Sequence, residues 1–232
     1  DLAAGCSLAA SIDVSDVIAW KNDHPRGYVV AYVNTSAAVK SEVDVCCTSS
    51  NAADVVRSIP GDKEIFFLPD QFLGAFVQRV TGREMDVWAG DCHVHAEISP
   101  SRLRETLDAN PGSDLLVHPE CGCTTTALYL TSTGDLPAQR TKVLSTGGMV
   151  EYAKSTKSAR VLVATETGIL HQLKKLATDT EFVPISERAV CPFMKMITPA
   201  KLLRTLRDDV FEVDVPLEIA DVGGDVGDAP FP

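Results

Sequence analysis

Short apolar, β-branched runs alternate with segments of helical periodicity along nearly the whole chain. The runs that read as strands are residues 28–32, 43–47, 64–68, 85–88, 114–117, 142–144 and 160–164. Between them the spacing of apolar positions predicts helices over 14–22, 52–59, 71–80, 102–108, 149–155 and 169–177. Plausible caps precede several of these: Asp13 or Ser15, Asn51, Asp70, and Ser99 ahead of Pro100. Thr198 ahead of Pro199 marks a further start. Strands that alternate with helices predict an α/β fold with parallel sheets. Seven strands can form one sheet or two smaller α/β lobes; a boundary near residues 98–100, at a Ser-Pro-Ser turn, divides two similar halves. From about Glu218 the chain turns to Asp, Gly and Pro with little to bury, so 218–232 is expected to be disordered.

Each strand runs into a polar cluster. These are Asn34-Thr35-Ser36, Thr48-Ser49-Ser50-Asn51, Pro69-Asp70, Asp91-Cys92-His93, His118-Pro119-Glu120-Cys121, Ser145-Thr146-Gly147-Gly148 and Thr165-Glu166-Thr167-Gly168. Ligands of open α/β sheets bind outside the carboxyl ends of the strands. A hydroxyl or glycine ahead of a helix also offers backbone N–H groups to an anion. A single Ser or Thr there is most simply an N-cap. Seven clusters together point to a site, and several anion-suited turns point to a substrate with more than one carboxylate or phosphate.

Composition narrows the class. The 232 residues are 45% apolar but only 6% aromatic, a core of Val, Leu, Ile and Ala that suits buried parallel strands. A net charge of −11 opposes nucleic acid and anionic membrane surfaces. No apolar run is long enough to span a bilayer. The N-terminus lacks the basic-then-apolar order of a secretory signal, and the chain opens on Asp1, so upstream sequence and a cytoplasmic location are expected.

Seven cysteines, at 6, 46, 47, 92, 121, 123 and 191, form no CxxC pair. The odd number and the lack of a secretory signal favour free thiols over a disulfide framework. Any metal site must therefore collect thiolates from distant segments. Cys46 and Cys47 end a strand and read as core. Cys121 and Cys123 read as packing residues or a redox-sensitive dithiol. His118 and Glu120 sit in a turn held by Pro119 and are the proton-transfer candidates. His93 and His95 flank Cys92 and are expected to support it; His24 reads as a surface residue and His171 as part of a helix face. No GxGxxG or Walker sequence occurs, which leaves a plain nucleotide-binding module unsupported.

Eight motifs, in order, resemble the quinolinate synthase family. They are Ala4-Gly5-Cys6-Ser7-Leu8-Ala9, Tyr32-Val33-Asn34-Thr35-Ser36-Ala37, Cys47-Thr48-Ser49-Ser50-Asn51-Ala52, Leu68-Pro69-Asp70, Gly90-Asp91-Cys92-His93-Val94-His95, His118-Pro119-Glu120-Cys121, Ser145-Thr146-Gly147-Gly148-Met149 and Cys191-Pro192-Phe193-Met194-Lys195-Met196. The resemblance implies three-layer α/β/α lobes with short parallel sheets, in pseudo-threefold order around a central site. It implies condensation of iminoaspartate with dihydroxyacetone phosphate to quinolinate, a precursor of NAD. It also implies a 4Fe–4S cluster held by Cys6, Cys92 and Cys191, with one iron left open to act as a Lewis acid. His118, Glu120 and Tyr32 correspond to catalytic positions. Tyr32, Asn34, Ser49, His118, Glu120, Ser145 and Thr146 correspond to substrate contacts.

By the same resemblance, residues 1–12 and 183–217 belong to a first lobe whose N-terminal segment, with part of the substrate site, is absent here. Residues 13–98 and 99–182 are the second and third lobes. Apolar surface that the absent segment would cover is expected to lie open. The implied partners are the small-molecule substrates, the N-terminal segment itself, and an L-aspartate oxidase or dehydrogenase as the source of iminoaspartate; neither nucleic acid nor membrane is expected. Two other readings remain: another cluster-dependent hydro-lyase, and a non-catalytic iron–sulfur or thiol redox sensor. The sensor reading requires Cys121 and Cys123 to be exposed.

Overall fold

The computed structural model describes residues 1–220. Two separate four-stranded sheets, both entirely parallel, replace the single-sheet alternative. In the first, β1 (Tyr28–Tyr32) lies between β2 (Val45–Cys47) and β3 (Ile65–Leu68), with β4 (Asp86–Val87) outside β3. In the second, β5 (Asp114–Val117) lies between β6 (Thr141–Val143) and β7 (Arg160–Ala164), with β8 (Glu181–Pro184) outside β7. The winding is therefore the same in both.

The continuous apolar runs exist because both faces of each sheet are buried. Val30 and Phe67 face one core with Leu73 and Val77, whereas Val29, Ala31, Phe66 and Leu68 face another with Val17. Likewise Leu115, Val117, Leu162 and Ala164 pack on Leu103 and Ala127, and Leu116, Val161 and Val163 pack on Met149 and Leu173.

Caps behave as the sequence indicates. Asp13 and Asp16 form a capping box for the helix Val14–Asp23. Asp70, Ser99 and Thr198 each accept a hydrogen bond from the amide three residues on. Asn51 instead turns back, its Oδ1 accepting from Thr48 N at 2.7 Å.

Several elements depart from the sequence reading. β8 was not expected, since only Phe182 of Glu181–Pro184 is fully buried and its apolar signal is short. The helix Thr124–Thr133 is built from Thr-Thr-Thr-Ala-Leu-Tyr-Leu-Thr-Ser-Thr, a composition that looks poorly helical because β-branched side chains lose rotamer freedom there. Burial of Ala127 and Leu130 outweighs that propensity. Pro199–Asp208, of which only the cap was read, is a full ten-residue helix. Leu217–Ala220 is a helical turn, and the expectation for the remainder of the tail lies outside the described residues.

A third feature repeats with the sheets. Cys6, Cys92 and Cys191 each stand seven residues before the N-cap of a ten-residue helix, the caps being Asp13, Ser99 and Thr198. The carbonyl of each cysteine accepts from the amide four residues on: Ala10 at 3.0 Å, Ala96 at 2.8 Å and Lys195 at 3.2 Å. Cys92 and Cys191 have nearly the same backbone, φ −81°, ψ 111° and φ −80°, ψ 113°.

Candidate functional site

In each sheet the winding reverses between the first and third strands, the switch point outside which ligands of α/β proteins bind. Pairing fixes what emerges there. Ala31 is level with Leu68, and Val117 is level with Ala164. Tyr32 and Asn34 thus occupy the same positions on the first sheet as His118 and Glu120 on the second, and Asp70 corresponds to Glu166. Ala31 and Val117 are also level with Cys46 and Val143, so Ser49 corresponds to Thr146. The candidate substrate residues are repeated pairs delivered by a repeated fold.

The three cysteines come together. Cys6, Cys92 and Cys191 are free and half-buried, and all three line one cavity of about 330 Å³ with Asn34, His95, Glu120, Glu166 and Phe193. The cysteine turns interlock: Ser7 Oγ lies 2.7 Å from His93 Nδ1, and the His93 ring meets Phe193 edge to face at 5.9 Å. Asn34 Nδ2 donates to Cys6 Sγ at 3.2 Å. Thiolates are soft donors, and three of them drawn from separate segments suit a thiophilic metal group. Among the described residues, no fourth cysteine lines the cavity.

Behind the cavity wall Glu120 sits between two imidazoles. Its Oε2 is 3.6 Å from His95 Nδ1 and its Oε1 is 3.7 Å from His118 Nδ1. Burial opposes its charge, but His95 and His118 outweigh that and hold its carboxyl below the ordinary range. Burial likewise opposes charge on His95, yet Cys92 and Glu120 prevail and push it up to about 10. His118 goes the other way, lowered to about 4 chiefly by burial, so it is neutral at pH 7. The Tyr32 phenol is raised far above its ordinary value by burial and by the Glu120 carboxylate. One carboxylate, one charged imidazole, one neutral imidazole and one protonated phenol therefore share a small volume.

Among the described residues, three buried side-chain atoms lack hydrogen-bond partners: Asp70 Oδ2, His95 Nδ1 and Glu120 Oε1. His95, His118 and Glu120 lie near enough together to be considered for a single cation. Their orientation opposes it. The two imidazoles are stacked 7° from parallel with centroids 5.0 Å apart, so their in-plane lone pairs do not converge. The trio is arranged to handle protons.

Not every expected residue joins this cavity. Tyr32, His118, Ser49, Ser145 and Thr146 stand at strand ends but outside its lining, with Tyr32 and His118 behind it against Glu120. Ser145 also caps its helix, its Oγ accepting from Gly148 N at 3.2 Å. Cys46 is exposed and is not core, since it lies on an edge strand, whereas Cys47 is buried. Cys121 and Cys123 are fully buried and joined to each other, which removes the exposure a thiol sensor at this pair requires. His24 is half-buried and stacked on Trp20, while His171 is exposed on its helix. His95 proves more central than a flanking residue, with Nε2 2.8 Å from Thr165 Oγ1. Glu166 was missed as a site residue; its place directly beyond β7 was the available signal.

Fold and site define a repeated parallel α/β protein that gathers thiols and proton-handling groups outside its strand ends. The chain belongs to the family described as quinolinate synthetase A protein, whose pattern it matches over residues 1–224. It is 56% identical over 221 residues to the quinolinate synthase of Mycobacterium sp. strain KMS, covering 95% of this chain and 66% of that protein. It is 56% identical over 224 residues to the quinolinate synthase of Mycobacterium tuberculosis strain H37Rv, covering 96% of this chain and 64% of that protein. The corresponding figures for the quinolinate synthase of Mycolicibacterium paratuberculosis strain K-10 are also 56%, 96% and 64%. The chain thus spans slightly less than two thirds of the length of these relatives. No helix among the described residues is long and apolar enough to cross a membrane.

Proposed function

We propose that the protein acts as a quinolinate synthase, condensing iminoaspartate with dihydroxyacetone phosphate through a 4Fe–4S cluster on Cys6, Cys92 and Cys191. The observation that carries this reading is the meeting of three free cysteines, at equivalent places in the repeat, on one cavity walled by Glu120. When bound, such a cluster supplies a Lewis-acidic iron for loss of a substrate hydroxyl.

The chain's own residues supply the rest. Glu120, ionised, is placed to take a proton from a carbon next to an imine or carbonyl. His118, neutral, can accept one, and the Tyr32 phenol can donate one to a departing or developing oxygen. Asn34, held on Cys6, presents its remaining amide capacity to a substrate carboxylate. Ser49, Ser145 and Thr146, at the ends of the outer strands, are assigned to carboxylate and phosphate groups that reach beyond the cysteine cavity. Apolar Phe193 and Val94 limit water at the reacting centre.

The complete site is inferred to need a third α/β unit. Val17 and Leu103, four residues beyond their caps, are each 0% exposed; their counterpart beyond Thr198, Leu202, is 54% exposed, with Leu203 and Leu206 exposed beside it. A sheet packed on helix Pro199–Asp208, as on the two equivalent helices, would cover them. The unit boundaries 1–12, 13–98, 99–182 and 183–217 follow from this reading. So do a cytoplasmic location and a supply of iminoaspartate from an L-aspartate oxidase or dehydrogenase.

The test is iron and sulfide content with a visible spectrum after anaerobic reconstitution, for the wild type and Cys92→Ser. Quinolinate formation is then assayed with an added N-terminal segment. Four irons that are lost in the variant, with product formed, is the expected result. Failure of the wild type to load iron would overturn the reading.

A further inference from the structure

We propose that Glu166 is the positioning residue that fixes the third thiolate, Cys191, for metal binding; the proposal rests on the cluster reading above. Glu166 follows β7 at the position matched by Asp70 on the first sheet, and its side chain is only 11% exposed. Its Oε1 accepts from the Cys191 amide at 3.3 Å and takes the Lys195 ammonium at 3.1 Å. Its Oε2 accepts from the Gly168 amide at 2.6 Å. One carboxylate therefore spans both sides of the Cys191 turn and ties it to the centre of the sheet.

Beyond the Phe193–His93 ring contact and the packing of Cys191 on the core, burial holds that turn only weakly. Cys191 is the N-cap of only a four-residue helix, its side chain makes no capping bond, and no residue of that helix is buried. The Cys92 turn is held by burial of Val94 and His95. The corresponding Phe193 and Met194 lie in the cavity lining, with Met194 58% exposed. The polar tie at Cys191 takes the place of the packing at Cys92. Outer partners of this kind hold ligands in the geometry a metal needs, and their loss reduces metal affinity by roughly 10–100-fold.

Gly168 belongs to the same device. A Cβ there would stand 2.6 Å from Glu166 Oε2 and 3.1 Å from Lys195 Nζ. Its φ of −59° suits alanine, so Gly168→Ala displaces the carboxylate without altering charge or straining the backbone.

The experiment uses the full chain, reconstituted without oxygen with ferrous iron and sulfide, as wild type, Glu166→Leu, Glu166→Gln and Gly168→Ala. Three readouts are taken: the rate of iron loss to a chelator, the electron paramagnetic resonance spectrum of the reduced protein, and amide exchange over residues 189–195 in the apoprotein. In Glu166→Leu iron is expected to leave roughly 10–100-fold faster. Its spectrum should shift, and the Cys191 and Lys195 amides should exchange faster while those of Cys92 and Ala96 do not. Gly168→Ala should follow it, and Glu166→Gln, which keeps one carbonyl acceptor, should recover part of the retention. Unchanged iron loss and unchanged exchange at Cys191 in Glu166→Gln and Gly168→Ala would overturn the role of Glu166 even where Glu166→Leu fails to fold. A wild type that loads no iron would overturn the cluster reading beneath it, a different result.

Discussion

Thr165 Oγ1 and His95 Nε2 lie 2.8 Å apart although 70 residues separate them in the chain, and both are buried. The next residue, Glu166, points to Cys191. The end of β7 thus serves two groups at once: Thr165 meets the imidazole beside Glu120, and Glu166 accepts from the Cys191 amide. A buried imidazole nitrogen without its partner carries a desolvation cost.

Thr165→Val keeps the shape and removes the hydroxyl. It is expected to lower stability by about 1–3 kcal/mol in urea unfolding, the cost of an orphaned buried polar group. A change below about 0.5 kcal/mol would show that the hydroxyl does not hold the ring.

Asp70 gives a pH test. Burial, its largest influence, raises its carboxyl from 3.8 to about 7, so the folded state holds a proton that the unfolded state releases. The folded-state value is the higher one, so stability linked to Asp70 is present below pH 4 and is lost as pH rises through 7. Asp70→Asn, which keeps an oxygen for the Leu73 amide, is free of that loss. Relative to the wild type it is expected to gain about 2–3 kcal/mol between pH 5 and pH 8. Parallel stability curves for the two proteins would refute the assignment. His118 contributes an opposite slope in both, since its lowered value costs stability as pH falls from about 6.5 towards 4.

Gly90 is a packing test. An added Cβ would meet Ser11 Oγ at 2.3 Å and the Pro69 carbonyl at 2.4 Å, and the Gly90 carbonyl accepts from Gln71 N at 2.8 Å. The backbone there cannot retreat without breaking that link. Gly90→Ala should destabilise by about 1–3 kcal/mol, as overpacking does. Gly61→Ala, where nothing stands within 4 Å, should be close to neutral in the same thermal or urea assay.

Cysteine substitution separates ligands from bystanders. Cys6→Ser and Cys191→Ser are each expected to abolish retention of a four-iron cluster under anaerobic gel filtration. Cys46→Ser, at an exposed position outside the cavity lining, should retain it. Equal retention in all three would remove the cysteine cavity as the metal site.

The sheets, and most residues that line the cysteine cavity, were legible in the sequence for identifiable reasons. Strands such as Arg160–Ala164 are buried on both faces and appear as unbroken apolar runs, and Asp70, Ser99 and Thr198 announce their helices chemically. The meeting of Cys6, Cys92 and Cys191 and the His118–Glu120 turn were legible through motifs, since spacing alone cannot bring Cys6 beside Cys191. Thr165 and Glu166 were legible only as members of a strand-end polar cluster, because each acts through a contact made only when β7 and the segments after β4 and β8 meet. The Thr124–Thr133 helix was hidden by a composition whose local preference is overruled by burial. The equal seven-residue intervals after Cys6, Cys92 and Cys191 were present in the sequence, and the helix caps give them meaning.

The proton-handling residues leave the inner strands of the sheets, whereas Cys92 and Cys191 follow the outermost ones, β4 with two residues and β8 with four. Margins of a sheet open at lower free energy than its middle. The turns of Cys92 and Cys191 therefore leave from the sheet margins, whereas Tyr32, His118 and Glu120 leave from the middle. If a cluster binds there as proposed, a chelator is expected to strip it and leave the sheets standing.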